Sequence, residues 1–271
     1  MRTADSLELH TVAWVPTAVP HAVLLIVHGL GEHIGRYDHV GRFFMEQGYA
    51  VYGIDHRGHG KSGGERVYFD RFELPVLDLK QYVDSFMKQH PDKPLLMFAH
   101  SLGSLIGLSF LLRFPTVVQA AVIQGTVLGV QTQQSPLILA LAPLINRLAP
   151  RIGIGAPLPP DVLSRDPAVA THYANDPLTY HGPVKIRMGH QIVTESRAVR
   201  AQLSNLTIPI RVQHGSADQL CPPVGSQMLY NGAGSADKAL HFYPDHRHEL
   251  HNEIGKEVVL RDIAQWFADH T

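Results

Sequence analysis

Three features of the 271-residue sequence predict an α/β fold with a mostly parallel, doubly wound sheet and an inserted cap. Short runs of β-branched and aliphatic residues recur along the chain, helical patterns separate most of them, and one Pro- and Gly-rich stretch interrupts that alternation. The strand runs are 23–27, 50–55, 94–99, 120–124, 208–213 and 239–243, each closed by Gly, His or Asp as a buried parallel strand would be. Helical patterns cover 39–47, 74–88, 102–114 and 223–230, with a last one near 258–268. Residues 7–15, followed by Pro16 and Pro20, read as antiparallel edge strands ahead of the parallel part. From about 127 to 207 the alternation stops. That stretch carries an apolar patch at 137–148, lacks an obvious buried strand, and ends in a helical pattern at 191–203 that leads back to the sheet. The expectation is one domain over 1–271 with a cap or lid inserted at about 127–207.

Hydrophobic residues make up 45% and charged residues 17%, a globular balance with an apolar lean that suits a greasy pocket. The formal net charge of -1 supplies no field for a phosphate backbone, so nucleic acid is set aside as a partner. A single cysteine, Cys221, allows no intramolecular disulfide and reads first as a small buried hydrophobe. The first twelve residues show no basic region followed by an apolar run, so the default expectation is cytoplasmic. The greasy stretch 136–145 is too short to span a bilayer but long enough to lie on one.

Chemistry concentrates at four places. In Leu95-Leu96-Met97-Phe98-Ala99-His100-Ser101-Leu102-Gly103, a serine sits between an apolar run and a helical pattern with glycine two residues later. This is the pattern of a nucleophile elbow, in which a sharp strand-to-helix turn lifts the hydroxyl above the sheet; Ala99 stands where such elbows carry glycine. Ser101 could equally cap the helix that begins at Leu102. His214-Gly215-Ser216-Ala217-Asp218 follows a strand and places an acid, Asp218, at its C-terminal end, where open α/β sheets gather their ligands. A turn or helix cap is the bland alternative there. His246, His248 and His251 fall within six residues, and one of them should be the base. Zinc is disfavoured because His248-Glu249-Leu250-His251 spaces its histidines three apart rather than four. The chain order Ser, Asp, His is that of α/β-hydrolases. His28-Gly29-Leu30-Gly31 follows the first buried run, the position from which such a fold draws an oxyanion-hole amide; the Leu30 and Leu102 backbone N–H groups are the candidates.

These residues resemble the monoacylglycerol lipase family of lysophospholipase-like serine hydrolases over nearly the whole chain. The resemblance rests on His28-Gly29-Leu30-Gly31-Glu32-His33 with Arg36-Tyr37, on Asp55-His56-Arg57-Gly58-His59-Gly60-Lys61-Ser62, on Tyr173-Ala174-Asn175-Asp176-Pro177-Leu178, and on the Asp218 loop with Cys221. It implies the α/β-hydrolase fold and a cleavage of monoacylglycerols through an acyl-enzyme on Ser101. It places the catalytic histidine at His248, leaves His246 a bystander, and assigns glycerol recognition to Glu32, Tyr173 and His251, with Arg36 orienting Glu32. No cofactor and no metal is called for. The expected partner is a small lipid ester, with transient membrane or micelle contact through the cap. A broader carboxylesterase or lysophospholipase with the same three residues is the alternative within enzymes, and a catalytically silent lipid-binding module the alternative outside them. A dehalogenase or epoxide hydrolase would need a carboxylate where Ser101 stands.

Overall fold

The computed structural model describes residues 1–129 and 144–271. Seven strands form the main sheet in the order β1-β3-β2-β4-β5-β8-β9, where β1 is Thr11–Trp14, β2 Ala22–Val27, β3 Tyr49–Ile54, β4 Leu95–His100, β5 Ala120–Gln124, β8 Ile210–Gly215 and β9 Lys238–Tyr243. Only β1 runs antiparallel to its neighbour; the other pairs are parallel. The helices whose bounds lie within the described residues are α1 (Asp38–Glu46), α2 (Glu73–Met87), α3 (Leu102–Arg113), α4 (Pro167–Asn175), α5 (Ile186–Arg200), α6 (Val224–Gly232) and α7 (Lys256–Ala268).

Each residue of β2 and β4 is buried, because both faces of a doubly wound sheet are covered and alternation has no solvent side to serve. Two apolar clusters result. One gathers α2, α3 and the adjoining strand faces around Phe72, Leu79, Leu105 and Phe110, and the other gathers α1 and α7 around Phe44, Phe98 and Phe267. The sheet turns outward from β2 in two directions, toward β3 on one side and β4 on the other. The carboxyl ends of β2 and β4 therefore border a topological switch point, the place where open α/β sheets leave a crevice.

The expectations for the parallel strands and the helices between them agree with the observed elements to within a few residues at each end, while of the edge strands expected over 7–15 only one, Thr11–Trp14, forms. Between β5 and β8 the chain makes a two-stranded antiparallel pair, β6 (Gly153–Ile154) with β7 (Val184–Lys185), together with α4 and α5. Helix α5 begins five residues before the predicted 191, and α4 was not predicted at all. Of the apolar patch at 137–148, residues 137–143 lie outside the described residues. Among the described residues no helix is long and apolar enough to cross a membrane.

Candidate active site

Strand β4 ends at His100 and helix α3 begins at Leu102, so Ser101 alone makes the turn between them. Its φ of 54° and ψ of -123° lie where a residue with a Cβ is strained. The surroundings hold it there: the Ser101 N–H donates to the Gln124 carbonyl at 3.0 Å, and the Ser101 carbonyl accepts from the Ser104 N–H at 2.9 Å. Gly103 is required next door, because a Cβ there would run into the Val27 and His28 carbonyl oxygens. The methyl of Ala99 is accommodated from the helix side. Position 107 is glycine, and a Cβ on it would stand 3.1 Å from the Ala99 Cβ and 3.0 Å from the Met97 Sδ.

Above this turn Ser101 Oγ and His248 Nε2 are 2.9 Å apart, and His248 Nδ1 and Asp218 Oδ2 are 2.7 Å apart. With the proton on Nδ1, the imidazole donates to the carboxylate and accepts from the serine hydroxyl. Asp218 is held by its other oxygen, which accepts from the Leu220 and Cys221 N–H groups at 2.8 and 2.9 Å. His214 Nε2 adds a further contact to Asp218 Oδ2 at 3.0 Å. Burial works against charge on both partners of the pair. Their mutual attraction and hydrogen bonds outweigh it, so His248 lies above its ordinary value and Asp218 well below the usual carboxylate range. His248 is thus poised to accept a proton, and Asp218 to remain ionised.

The loop after β2 faces the serine from the other side. A methyl placed on Gly29 would meet Glu32 Oε1 at 2.7 Å and the Ser101 Cβ at 3.0 Å, so carboxylate and serine flank the same glycine. Glu32 Oε1 accepts from the Gly29 N–H at 2.6 Å and the Tyr37 hydroxyl at 2.8 Å, which fixes the curl of the loop. Asp55 at the end of β3 staples the loop from beneath, accepting from the Ile34 N–H at 2.7 Å and the Lys61 N–H at 2.9 Å. His28, His56 and His59 fill the space under it. Burial, compounded by neighbouring imidazoles and cations, keeps them uncharged, with His56 at about 3 and His59 at about 4. The Leu30 and Leu102 N–H groups take part in none of the turn and loop hydrogen bonds among the described residues, and both residues line the cavity at the serine.

That cavity encloses about 340 Å³ and is mostly apolar, walled by Val67, Val127, Leu158, Leu163, Ile192 and Val193. Its polar end is a buried cluster. Arg36 donates to Glu32 Oε2 at 2.8 Å and, in a two-pronged contact, to Glu249 Oε1 and Oε2 at 2.6 and 2.7 Å, while its guanidinium lies 5.3 Å from the Tyr173 ring centroid. Helix α4 brings Tyr173 there, opened by the Asp166 side chain capping the Ala168 N–H and by Pro167 in its first turn. The segment is docked on the β2 loop by His33 to Asp176 at 2.8 Å and by the Tyr180 N–H to the Gly31 carbonyl at 2.8 Å.

Ser101, His248, Leu30, Leu102, Glu32, Arg36 and Tyr173 all border this one cavity, with Asp218 directly behind His248. His251 does not reach it. That ring is fully buried, bonded through Nδ1 to Gln124 Oε1 at 2.7 Å and stacked 4.7 Å from Tyr37, and its Nε2 has no partner among the described residues. The three clustered histidines serve different partners: His246 the Pro244 carbonyl, His248 Asp218, and His251 Gln124. No group of three or more His, Cys, Asp or Glu among the described residues is arranged to hold a metal. Cys221 lines the cavity, but burial and the Asp218 charge push its thiol up, away from the reactive thiolate. Two residues escaped the sequence reading, Glu249 and His214. Each adjoins or shares a motif that was read, but pairing across the fold, not local pattern, gives them their place.

The chain matches the family model Hydrolase_4, serine aminopeptidase, S33, over residues 18–255. It is 35% identical over 257 residues to a monoacylglycerol lipase of Mycolicibacterium smegmatis, covering 95% of this chain and 91% of that protein. It is 34% identical to a monoglyceride lipase of Homo sapiens, covering 99% and 89%. Among solved structures it is similar to the Paleococcus ferrophilus monoacylglycerol lipase, with a TM-score of 0.87 and 26% identity over 97% of this chain and all of that one. A soluble variant of the Saccharomyces cerevisiae monoglyceride lipase shares the fold, with a TM-score of 0.88 at 22% identity over 100% and 94%.

Proposed function

The chain belongs to the monoacylglycerol lipase family of α/β-hydrolases, within the Hydrolase_4 group, and we propose on that premise that it cleaves monoacylglycerols to fatty acid and glycerol. It is a carboxylic ester hydrolase. The observation that carries the substrate reading is the cavity itself: a serine–imidazole–carboxylate chain lies between a long apolar wall and one compact polar end. Such a space suits a single acyl chain joined to a small hydroxylated head, and buried polar groups discriminate strongly against substrates that leave them unpaired.

In this mechanism His248 takes the Ser101 proton as Oγ attacks the ester carbonyl, and the Leu30 and Leu102 amides receive the developing oxyanion. His248 then protonates the departing glycerol oxygen, the carbonyl reforms, and an acyl-enzyme remains. Water, deprotonated by the same imidazole, attacks that ester and releases the fatty acid, returning the proton to Ser101. Asp218 holds the Nδ1–H tautomer and stabilises the imidazolium. Glu32, oriented by Arg36, accepts a hydroxyl of the head, and Tyr173 walls it. His251 acts from outside the cavity, as the stacking support of Tyr37, which bonds Glu32.

The described part of the insertion, residues 144–207, serves as a cap over this site. Leu144, Leu148, Ile152 and Ile154 are exposed on this segment, and Val184, paired with Ile154, also lines the cavity; such a surface suits transient contact with lipid. The test compares hydrolysis of monoacyl-, diacyl- and triacylglycerols and p-nitrophenyl esters. A strong preference for the monoacyl compound is expected; activity confined to small esters would overturn the lipase reading while leaving the esterase mechanism standing.

A further inference from the structure

Negative charge outnumbers positive at the polar end of the cavity. Arg36 is the one lysine or arginine among the described residues that line it, and it faces two carboxylates, Glu32 and Glu249, each almost completely buried. A guanidinium in a pocket is ordinarily the group that grips a phosphate or carboxylate, through two parallel N–H···O bonds from its planar fork. Here Glu249 already occupies that fork with both its oxygens, at 2.6 and 2.7 Å, and is itself tied by the Asn252 amide at 2.8 Å. The second Nη1 hydrogen goes to Glu32 Oε2, so that among the described residues only the Nε–H and one Nη2 hydrogen stay open.

We propose that Glu249 is a specificity-determining residue which, with Glu32, cancels the charge of Arg36, so that the site accepts esters of neutral, hydroxyl-bearing alcohols and rejects those whose alcohol carries a phosphate or carboxylate. The proposal deepens the monoacylglycerol reading and rests on it for the placement of the head beside Glu32. An anionic head that displaced Glu249 from Nη1 and Nη2 would leave a buried carboxylate without its partner, and one that took the open Nε–H edge would meet a guanidinium whose charge two carboxylates already balance. It would also meet two carboxylates at short range where water screens little. A neutral hydroxyl faces no such obstacle. Glu32 Oε1 is saturated by Gly29 and Tyr37, but Oε2 has only Arg36 and keeps a direction from which to accept a proton donor. Burial, with the Glu249 charge beside it, pushes the Glu32 carboxyl up. Should Glu32 take up a proton, Glu249 alone still balances Arg36, and the cluster never becomes positive.

The test uses binding rather than turnover, so it stays separate from whether monoacylglycerols are hydrolysed. Titration calorimetry on the purified full chain measures 1-O-octylglycerol against its 3-phosphate, ethers that the serine cannot cleave. The neutral ether is expected to bind at least about 30-fold more tightly than the phosphate. Glu249→Gln should close at least about tenfold of that gap by tightening the phosphate, and Glu32→Gln should move it the same way. Equal affinities for the two ethers in the unaltered protein, or binding of neither, overturn the proposal. So does a Glu249→Gln protein that melts normally and keeps the gap unchanged. If that variant fails to fold, Glu32→Gln and the unaltered protein decide. Monoacylglycerol hydrolysis measured alongside reports on the substrate reading independently.

Discussion

His214 Nε2 stands 3.0 Å from Asp218 Oδ2, the same oxygen that meets His248, while His214 Nδ1 lies 2.7 Å from the Ser226 hydroxyl. Four buried side chains therefore run in a line behind the nucleophile: Ser226, His214, Asp218 and His248. His214 Nε2 is also 2.8 Å from the Cys221 carbonyl, an acceptor only, so that nitrogen carries the hydrogen and is shared between carbonyl and carboxylate. Replacing His214 with leucine removes a donor from the carboxylate and leaves Ser226 and the Cys221 carbonyl without it. We predict a loss of about 1–3 kcal/mol in stability and about 10- to 100-fold in kcat with KM little changed. His214→Gln, which retains an amide donor, should recover most of both. Measured kcat and KM for a p-nitrophenyl ester, beside a thermal melt, check this.

Acid should act on the rate through His248 and on stability through His248 and a set of buried histidines of opposite sign. His248 has its folded pKa raised above 6.5. The rate therefore falls as pH drops through a value above that, and Asp218→Asn should move the acid limb to lower pH. A raised pKa means that the pairing of His248 stabilises the fold below pH 6.5 and ceases to do so as pH rises through the folded value.

His28, His56, His59, His100 and His251 carry the opposite sign, because burial lowers each of them, His56 and His100 to about 3 and His59 to about 4. Below pH 6.5 the unfolded chain binds protons there that the fold refuses. Each such histidine then costs up to about 1.4 kcal/mol of stability per pH unit until its folded pKa is reached. Full stability above pH 6.5 and steep unfolding as pH falls toward about 4.5 are expected from denaturant titrations across that range. A flat profile would mean that these rings accept protons without cost.

Gly107 and Ala99 should behave as a coupled pair. Gly107→Ala puts a methyl 3.1 Å from the Ala99 Cβ under the elbow, an overpacking expected to cost about 1–3 kcal/mol. Ala99→Gly in the same chain should return part of that loss. A double-mutant cycle on denaturant midpoints measures the coupling, and simple additivity would contradict the packing described.

The positions of the parallel strands were legible because a strand buried on both faces writes a continuous aliphatic run, as Ala22–Val27 and Leu95–His100 do. The elbow was legible because a serine between an aliphatic run and a helical pattern is followed two residues later by Gly103, which close approach of the Val27 and His28 carbonyls demands. Strands β6 and β7 were not, since two-residue exposed strands carry no period. Helix α4 was missed although Asp166-Pro167 is a start signal, because a nine-residue helix with only Tyr173 buried shows little apolar periodicity. His251 was placed at the glycerol head by resemblance, whereas its ring points to Gln124. Glu249 stood in the motif that was read for zinc spacing, and only the meeting of two loops 213 residues apart in sequence shows Arg36 as its partner.

Asp55 tests whether the loop after β2 works as an oxyanion site. Asp55→Ala frees the Ile34 and Lys61 N–H groups and loosens the loop that presents Leu30. A drop of about 10- to 1000-fold in kcat with KM changed less is expected, since an oxyanion contact is made only in the transition state. An equal rise in KM with kcat preserved would assign the loop to substrate binding instead.

The most direct test of the central claim is the rate of fatty-acid release from a monoacylglycerol by the unaltered protein and by Ser101→Ala, with circular dichroism confirming that both are folded. The mechanism predicts rapid release by the first and a loss of about 10⁴-fold or more in the second. Comparable rates from the two proteins would contradict it, and the serine at the head of helix α3 would then be a structural turn rather than the nucleophile.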